Sequence, residues 1–365
     1  MSGVQSPRDL YERLAKGVID QQVTLEQIAV SLYKHIRRIK VGNIMLIGNS
    51  GTGKTTIMRM VEKVFGEDPD LARYTNTIRL NANIVSGEDS KDLEGSVIIE
   101  RLRQNALRIM GDDGDEDRFR DLIENGVVFL DEVDKIRSLV GDKPNPRGIL
   151  AQEALLTLIE GEGIRLPFTS RNEQGELETR KVAVNTGRIL FICGGAFEGL
   201  YDMVYRRVAS GEHRDKLIHE YVVGEGEDLE EKEHFSLQSY VRYEDMFAYG
   251  MTPQFLGRFD EIIVLNDLTI NGLMRIFVEP ADSPYREARR YFNSLGIELK
   301  ITRDGLKLLA ERAYENHRLG ARALKNVFKR VLRGIEFNPE ESYLVEEKEG
   351  RKILTLSKDI VAHHS

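Results

Sequence analysis

The chain has 365 residues, 41% hydrophobic and 31% charged, a balance that fits a soluble globular protein of two or three domains. Its formal net charge of −8 argues against a protein built chiefly to grip nucleic acid or an anionic membrane surface, because both need a basic face. One cysteine, Cys193, leaves no partner for an internal disulfide; with no apolar leader at Met1-Ser2-Gly3 and no long apolar run, the expectation is a reducing, cytoplasmic setting without a membrane span.

The first apolar run, residues 44–47, reads as a strand covered on both faces. It opens directly into Gly48-Asn49-Ser50-Gly51-Thr52-Gly53-Lys54-Thr55, which fits G-x-x-x-x-G-K-[ST] in full. The glycines let the backbone curl so that successive N–H groups face phosphate oxygens, and the helix expected over 55–65 adds its positive end. Lys54 supplies a point charge for the β- and γ-phosphates, and Thr55 a hydroxyl for Mg²⁺. Asn49, Ser50, Gly51, Thr52, Gly53, Lys54, Thr55 and Thr56 are therefore the candidate set for ATP, with Mg²⁺ as the accompanying ion.

A second strand is expected over 77–80 and a helix over 96–110, followed by the acidic stretch 112–117, read as a solvated loop. The third apolar run, 127–130, ends in Asp131-Glu132. A parallel strand delivers such residues to the ligand-binding edge of the sheet. Asp131 is placed to hold Mg²⁺, and Glu132 to polarise a water against the γ-phosphate. A protein that only binds nucleotide needs the first carboxylate; a hydrolase needs both.

A helix over 152–160 precedes a hairpin within 165–188, with Gln174-Gly175 near its tip and Arg171, Arg180 and Lys181 on its arms. Strands at 189–192 and 262–265 flank a second acidic stretch, 225–233, also read as an exposed loop. Cys193 continues an apolar run and reads as a small core residue. Five strands alternating with helices predict an α/β fold with a five-stranded parallel sheet. After residue 265 the texture turns to charged amphipathic helices at 304–315 and 321–337, with a strand pair at 342–345 and 352–356 around Lys348-Glu349-Gly350. The expected domains are thus 1–265 and a smaller α-rich 266–365.

Further stretches carry a resemblance: Val18-Ile19-Asp20-Gln21 ahead of the phosphate loop, the run from Phe129 to Ile136, the helix from Gln152 to Gly161, the strand from Ile189 to Phe197, Thr252-Pro253-Gln254-Phe255-Leu256-Gly257-Arg258, and Gly320-Ala321-Arg322-Ala323-Leu324. Together they resemble the AAA+ family, and within it the ClpX/HslU branch, from about residue 14 to about residue 336. The resemblance implies a P-loop large domain followed by a small lid domain, and a homo-oligomeric, hexameric ring acting on a protein client. It implies that Val18 and Ile19 line the adenine pocket. Arg258 would reach the neighbour's γ-phosphate, and Arg322 would contact the nucleotide from within its own subunit. Both roles suit a guanidinium, which keeps its charge and donates in a planar fork. From the residues alone, either arginine reads equally as a surface ion-pair residue, and Val18 and Ile19 as core.

The sequence departs from that branch in four places. The motor segment starts almost at once, and a lone cysteine cannot build a four-cysteine zinc-binding domain. The stretch matching the substrate-gripping pore loop, 84–95, has no aromatic and is rich in charge. No apolar-Gly-Phe tripeptide lies between Tyr201 and Gly250, so docking to a ClpP-type peptidase is not expected. Gly194-Gly195 stand where a polar sensor-1 residue would be, and none is assigned. The expected function is an ATP-hydrolysing motor that remodels or unfolds proteins without a partner peptidase; the alternatives are a nucleotide-gated ring scaffold and, less favoured by the charge, a nucleic-acid motor.

Overall fold

A computed structural model of the protein describes residues 3–39, 42–83, 96–141, 143–171, 176–210, 218–223, 229–316, 319–339, 342, 344–348 and 350–364. The chain forms two compact units. One comprises Met1–Leu14, Thr24–Ile47 and Met58–Leu265; the other comprises Ala15–Val23, Gly48–Ile57 and Asn266–Ser365.

In chain order the elements up to residue 265 are α1 (Pro7–Leu14), α2 (Gln22–Ile36), β1 (Asn43–Ile47), α3 (Lys54–Glu67), β2 (Thr77–Asn81), α4 (Ser96–Met110), α5 (Glu116–Glu124) and β3 (Val127–Asp131). There follow the two-residue pair β4 (Leu139–Val140) and β5 (Lys143–Pro144), α6 (Pro146–Glu160), the hairpin β6 (Gly163–Arg171) and β7 (Leu177–Asn185), β8 (Leu190–Gly195) and α7 (Leu200–Ser210). The antiparallel pair β9 (Ile218–Val223) and β10 (Leu229–His234) leads to α8 (Leu237–Tyr240), α9 (Tyr243–Tyr249), α10 (Pro253–Leu256) and β11 (Phe259–Val264).

Five of these strands form one all-parallel sheet in the order β11-β1-β8-β3-β2. The inner strands β1 and β8 are buried along their whole length, and β3 up to its last residue, which is why their sequences lack polar alternation. Strand β2, on the edge, is only half-buried and tolerates Arg79. The strand expected at 189–192 runs from Leu190 to Gly195, because Asn185 accepts from the Gly187 N–H and caps a short 3-10 turn over Thr186–Arg188. The strand expected at 262–265 begins three residues earlier, at Phe259.

Helix α4 has the expected bounds. Helix α6 begins six residues before the apolar periodicity, because Pro146 is accommodated in a first helical turn. The acidic stretch 112–117 is exposed, but it is not all loop: Asp115 accepts from the N–H groups of Asp117 and Arg118 and starts α5, where acidic residues complement the helix dipole. The second acidic stretch is corrected likewise. Its described part, from Leu229, is strand β10 rather than loop, paired residue by residue with β9, and 224–228 lie outside the described residues.

The expected hairpin is present as β6 and β7, with 172–175 outside the described residues. It is not a freely solvated arm, since Leu166, Phe168, Val182 and Val184 are buried and Phe168 packs on Phe119 with ring centroids 4.7 Å apart. Cys193 is fully buried, and burial pushes its thiol well above the usual range, so it is an inert core residue.

The second unit gathers α11 (Ile270–Val278), α12 (Pro284–Ser294), β12 (Ile297–Ile301), α13 (Arg303–Tyr314), α14 (Ala321–Phe337), β13 (Val345–Lys348), β14 (Arg351–Leu356) and α15 (Lys358–His364). Three of its helices start on hydroxyl caps: Thr269 accepts from the Gly272 N–H, Ser283 from Arg286 and Thr302 from Gly305. Phe277, Phe292, Phe328, Leu299 and Leu354 form the centre of its core, with Phe277 and Phe328 edge-to-face at 4.6 Å. The expected strand pair is found as β13 and β14, though β13 lies three residues later than expected, and β12, which sequence reading missed, pairs with β14 in parallel.

One buried group in the first unit sets a pH limit. The His35 ring is 8% exposed, touches the Asn125 carbonyl oxygen through Nε2 at 3.2 Å and meets Tyr74 edge-on at 5.4 Å. Burial holds its pKa down at about 4, against the partial opposition of that carbonyl and with help from Arg188. The unfolded chain therefore binds a proton near pH 6.5 that the folded chain refuses until about pH 4. Stability should fall by about 3 kcal/mol as pH drops through that window, and be flat with respect to this group above it. Urea denaturation at stepped pH checks this: His35→Gln should flatten the slope, and an unchanged slope would count against it.

Candidate nucleotide-hydrolysing site

The phosphate loop lies within the second unit. Gly51 is left-handed at φ 79° and Gly53 at φ 111°, conformations that favour glycine. At Gly51 a Cβ would stand 2.5 Å from the Leu319 carbonyl oxygen and 3.0 Å from the Ala321 nitrogen, so only a glycine lets the start of α14 come this close. The Ala321 N–H donates to the Gly51 oxygen at 3.3 Å. Gly320, at φ 49°, is constrained reciprocally by Gly51. Beside Gly53 a Cβ would meet nothing within 4 Å, which leaves that side of the loop open.

Lys54 is buried at the start of α3, and its ammonium donates to the carbonyl oxygens of Gly48 and of Asn49, the latter at 3.0 Å. Thr52 is buried and donates through its hydroxyl to the Asn49 oxygen at 2.9 Å. Asn49 and Ser50 are half-buried, as is Thr55, while Thr56 is exposed in the first turn of α3. In the same unit Val18 is buried and Ile19 half-buried, and Arg322 is exposed in the first turn of α14. The Arg322 nitrogen would lie 3.3 Å from a Cβ on Gly51. The structure thus brings the loop and the turn carrying Arg322 side by side.

The carboxylate pair lies in the first unit. Parallel β1 and β3 are separated by β8 alone, so both end at the same edge of the sheet; the chain enters the loop from β1 and reaches Asp131 along β3. Asp131 accepts from the Glu132 N–H at 2.9 Å. Glu132 adopts a left-handed conformation, φ 59° and ψ 35°, which costs a residue with a Cβ about 1–2 kcal/mol and is held here between β3 and the 3-10 turn Val133–Ile136. Its Oε2 accepts from the Asn81 side-chain amide at 2.6 Å.

Asn81 was missed by sequence reading. Sequence shows only a polar residue at the end of an apolar run; its pairing in register with Asp131 is set by the sheet. Gly195, where no sensor-1 residue was assigned, has no room for a side chain, since a Cβ would stand 2.6 Å from an Asp134 carboxylate oxygen and 2.8 Å from the Phe197 ring. The same Asp134 oxygen accepts from the Ala196 N–H at 3.2 Å. Arg258, on the turn after α10, is half-exposed and ion-paired with Glu160 at the end of α6.

These residues fit a Mg²⁺-bound nucleoside triphosphate. The loop offers a left-handed glycine cradle, a helix start and a buried ammonium to an anion. Among the described residues no cluster of three or more His, Cys, Asp or Glu could cage a metal.

A five-stranded parallel sheet with a phosphate loop after β1 and an Asp-Glu pair after β3 defines a P-loop nucleotide hydrolase. Residues 39–262 match the family of the AAA domain (Cdc48 subfamily). Similar curated proteins are named ATP-dependent Clp protease ATP-binding subunits. ClpX 3 of Methylococcus capsulatus is 30% identical over 353 residues, covering 90% of this chain and 75% of that protein. ClpX of Bacteroides thetaiotaomicron is 28% identical over 92% of this chain and 78% of its own length, and ClpX of Treponema denticola 27% identical over 99% and 82%. The chain belongs to the AAA+ ATPases, as a ClpX-like member, and its reaction is ATP hydrolysis.

Asn81→Ala should free the Glu132 carboxylate to rotate and lower kcat about tenfold, with nucleotide affinity unchanged. Steady-state ATPase assays beside a fluorescent-nucleotide titration check this; a parallel loss of affinity would place Asn81 in binding rather than positioning.

Proposed function

We propose that this chain is the ATP-driven subunit of a homo-oligomeric ring, hexameric as the ClpX-like branch implies, that remodels or unfolds protein clients in the cytoplasm. The observation that carries this reading is the loop of Gly51 and Gly53 with buried Lys54, in a chain that also presents Asp131 and Glu132 at the end of β3. In this reading residues 1–265 are the ATP-binding domain and 266–365 the lid.

The N–H groups of Asn49, Ser50, Gly51, Thr52 and Gly53, with Lys54 and Thr56, hold the phosphates, and Val18 and Ile19 flank the base. Thr55 and Asp131 hold Mg²⁺, which when bound neutralises charge on the β- and γ-oxygens. Glu132 takes a proton from the attacking water. The neighbouring copy's Arg258 and the same copy's Arg322 stabilise charge on the transferred group, each worth orders of magnitude in rate where such an arginine acts. Arg258 can leave Glu160 for that task, because an ion pair between half-exposed side chains contributes at most about 1 kcal/mol.

Two features favour work without a ClpP-type peptidase. No apolar-Gly-Phe tripeptide occurs between Tyr201 and Gly250, and the described backbone of that region includes the β9–β10 hairpin. Stretch 84–95, read as a polar pore segment, lies outside the described residues. Among the described residues no helix is long and apolar enough to cross a membrane.

Glu132→Gln should abolish turnover while sparing ATP binding, so that the protein holds its client. Mass spectrometry of what co-purifies with ATP present, alongside a nuclease-treated control, tests the reading. A protein retained only with ATP is expected; nuclease-sensitive material would point to a nucleic-acid motor, an assembled ring with nothing bound to a nucleotide-gated scaffold, and undiminished turnover would remove Glu132 from catalysis.

A further inference from the structure

Gln21 belongs to none of the roles above, yet its side chain is 1% exposed. Its Nε2 donates to the carbonyl oxygen of Thr52, inside the phosphate loop, at 3.1 Å and to that of Asn266 at 2.7 Å. Its Oε1 accepts from the Asn266 N–H at 3.1 Å. Both amide hydrogens are therefore used, and the far end of the side chain closes a two-way bond with one backbone residue. A buried amide satisfied on both ends is rigid, because any rotation leaves a desolvated group unpaired.

The flanking contacts run in the same direction. The Asp20 carboxylate accepts from the Thr269 N–H at 3.0 Å and from its hydroxyl at 2.6 Å, immediately before α11. Asp20 is itself left-handed at φ 61°. At Gly272 a Cβ would fall 1.7 Å from an Asp20 oxygen, so that approach requires glycine. Asn49, in the loop, donates to the Asp267 carboxylate at 2.9 Å. Residues 266–269 are thus tied to the loop directly through Asn49 and to the segment ahead of it through both Asp20 and Gln21, and Gln21 in turn reaches the loop at Thr52. These ties account for the grouping of Ala15–Val23 and Gly48–Ile57 in one compact unit with Asn266–Ser365.

We propose that Gln21 is a positioning residue for ATP, which clamps the Thr52 carbonyl to residue 266 so that filling the phosphate loop is transmitted to the start of α11. The proposal rests on the phosphate-loop reading above. An anion held by the loop's N–H groups fixes the loop backbone; Thr52 then fixes the Gln21 amide, and the amide fixes Asn266. A side chain that only filled space would show no such dependence on nucleotide.

The test uses the full chain and ADP with Mg²⁺, which avoids turnover. Hydrogen exchange is followed over residues 48–57 and 266–272, and affinity is measured with a fluorescent ADP analogue. In the wild type, nucleotide should slow exchange in both segments. Gln21→Met keeps the volume and removes the bonds; its Kd should rise about tenfold, and at saturating nucleotide 48–57 should stay protected while the response of 266–272 falls well below the wild type's, the Asn49–Asp267 bond alone remaining. Gln21→Glu, which turns a carboxylate toward two carbonyl oxygens, should bind more weakly still. Equal protection of 266–272 in wild type and Gln21→Met would overturn the proposal. So would a wild type in which nucleotide protects 48–57 alone, an outcome that needs no variant to fold. A wild type that binds no nucleotide would instead overturn the phosphate-loop reading, and this proposal with it.

Discussion

Parallel pairing in the sheet is the constraint on which the rest of the structure depends. Parallel strands must all end at one edge, and a crossover must return the chain to the far side each time. With β8 between β1 and β3, the chain enters its phosphate loop and reaches Asp131-Glu132 from the same edge. The inner strands meet this constraint with apolar side chains on both faces, and the edge strand β2 contributes Asn81 at the point where its last residue pairs with Asp131.

Within each unit, close approaches that forbid side chains fix local geometry. Gly51 admits the start of α14, Gly195 admits the Asp134 carboxylate, and Gly272 admits Asp20. Each substitution there would drive a Cβ into backbone or carboxylate atoms at well under contact distance, so the positions act as spacers rather than as flexible joints. Glu132 is the opposite case: a residue with a side chain is held left-handed where glycine would be easier. The side chain is what the position needs, and the strain is borne by the elements on either side of it.

Buried amides perform the long-range alignment. Gln152 donates to the Ile136 and Gly250 carbonyl oxygens and accepts from the Thr252 N–H and hydroxyl, fixing the approach to α10 and so to Arg258. Gln21 does the same for the phosphate loop and residue 266. A fully satisfied side-chain amide defines direction in a way that apolar packing cannot, because losing any one bond strands a polar atom away from water.

The phosphate loop, the Asp131-Glu132 pair and the five strands were legible in the sequence, because each depends on local chemistry: a glycine pattern, a pair of carboxylates, runs of apolar residues. Helices α4 and α14 could be bounded from periodicity alone. Strand β12 could not be found, since β14, its one sheet partner among the described residues, lies some fifty residues on and nothing local marks the pairing. Strand β10 was read as an acidic loop because charge hides a strand whose backbone bonds come from β9. The roles of Asn81 and Gln21 were hidden for the same reason, as an amide's partners are backbone and carboxylate atoms far along the chain. Sequence determined what chemistry the chain carries; tertiary structure decided which polar groups aim that chemistry, because a hydrogen bond's direction exists only once distant segments have been brought within 3 Å or so of each other.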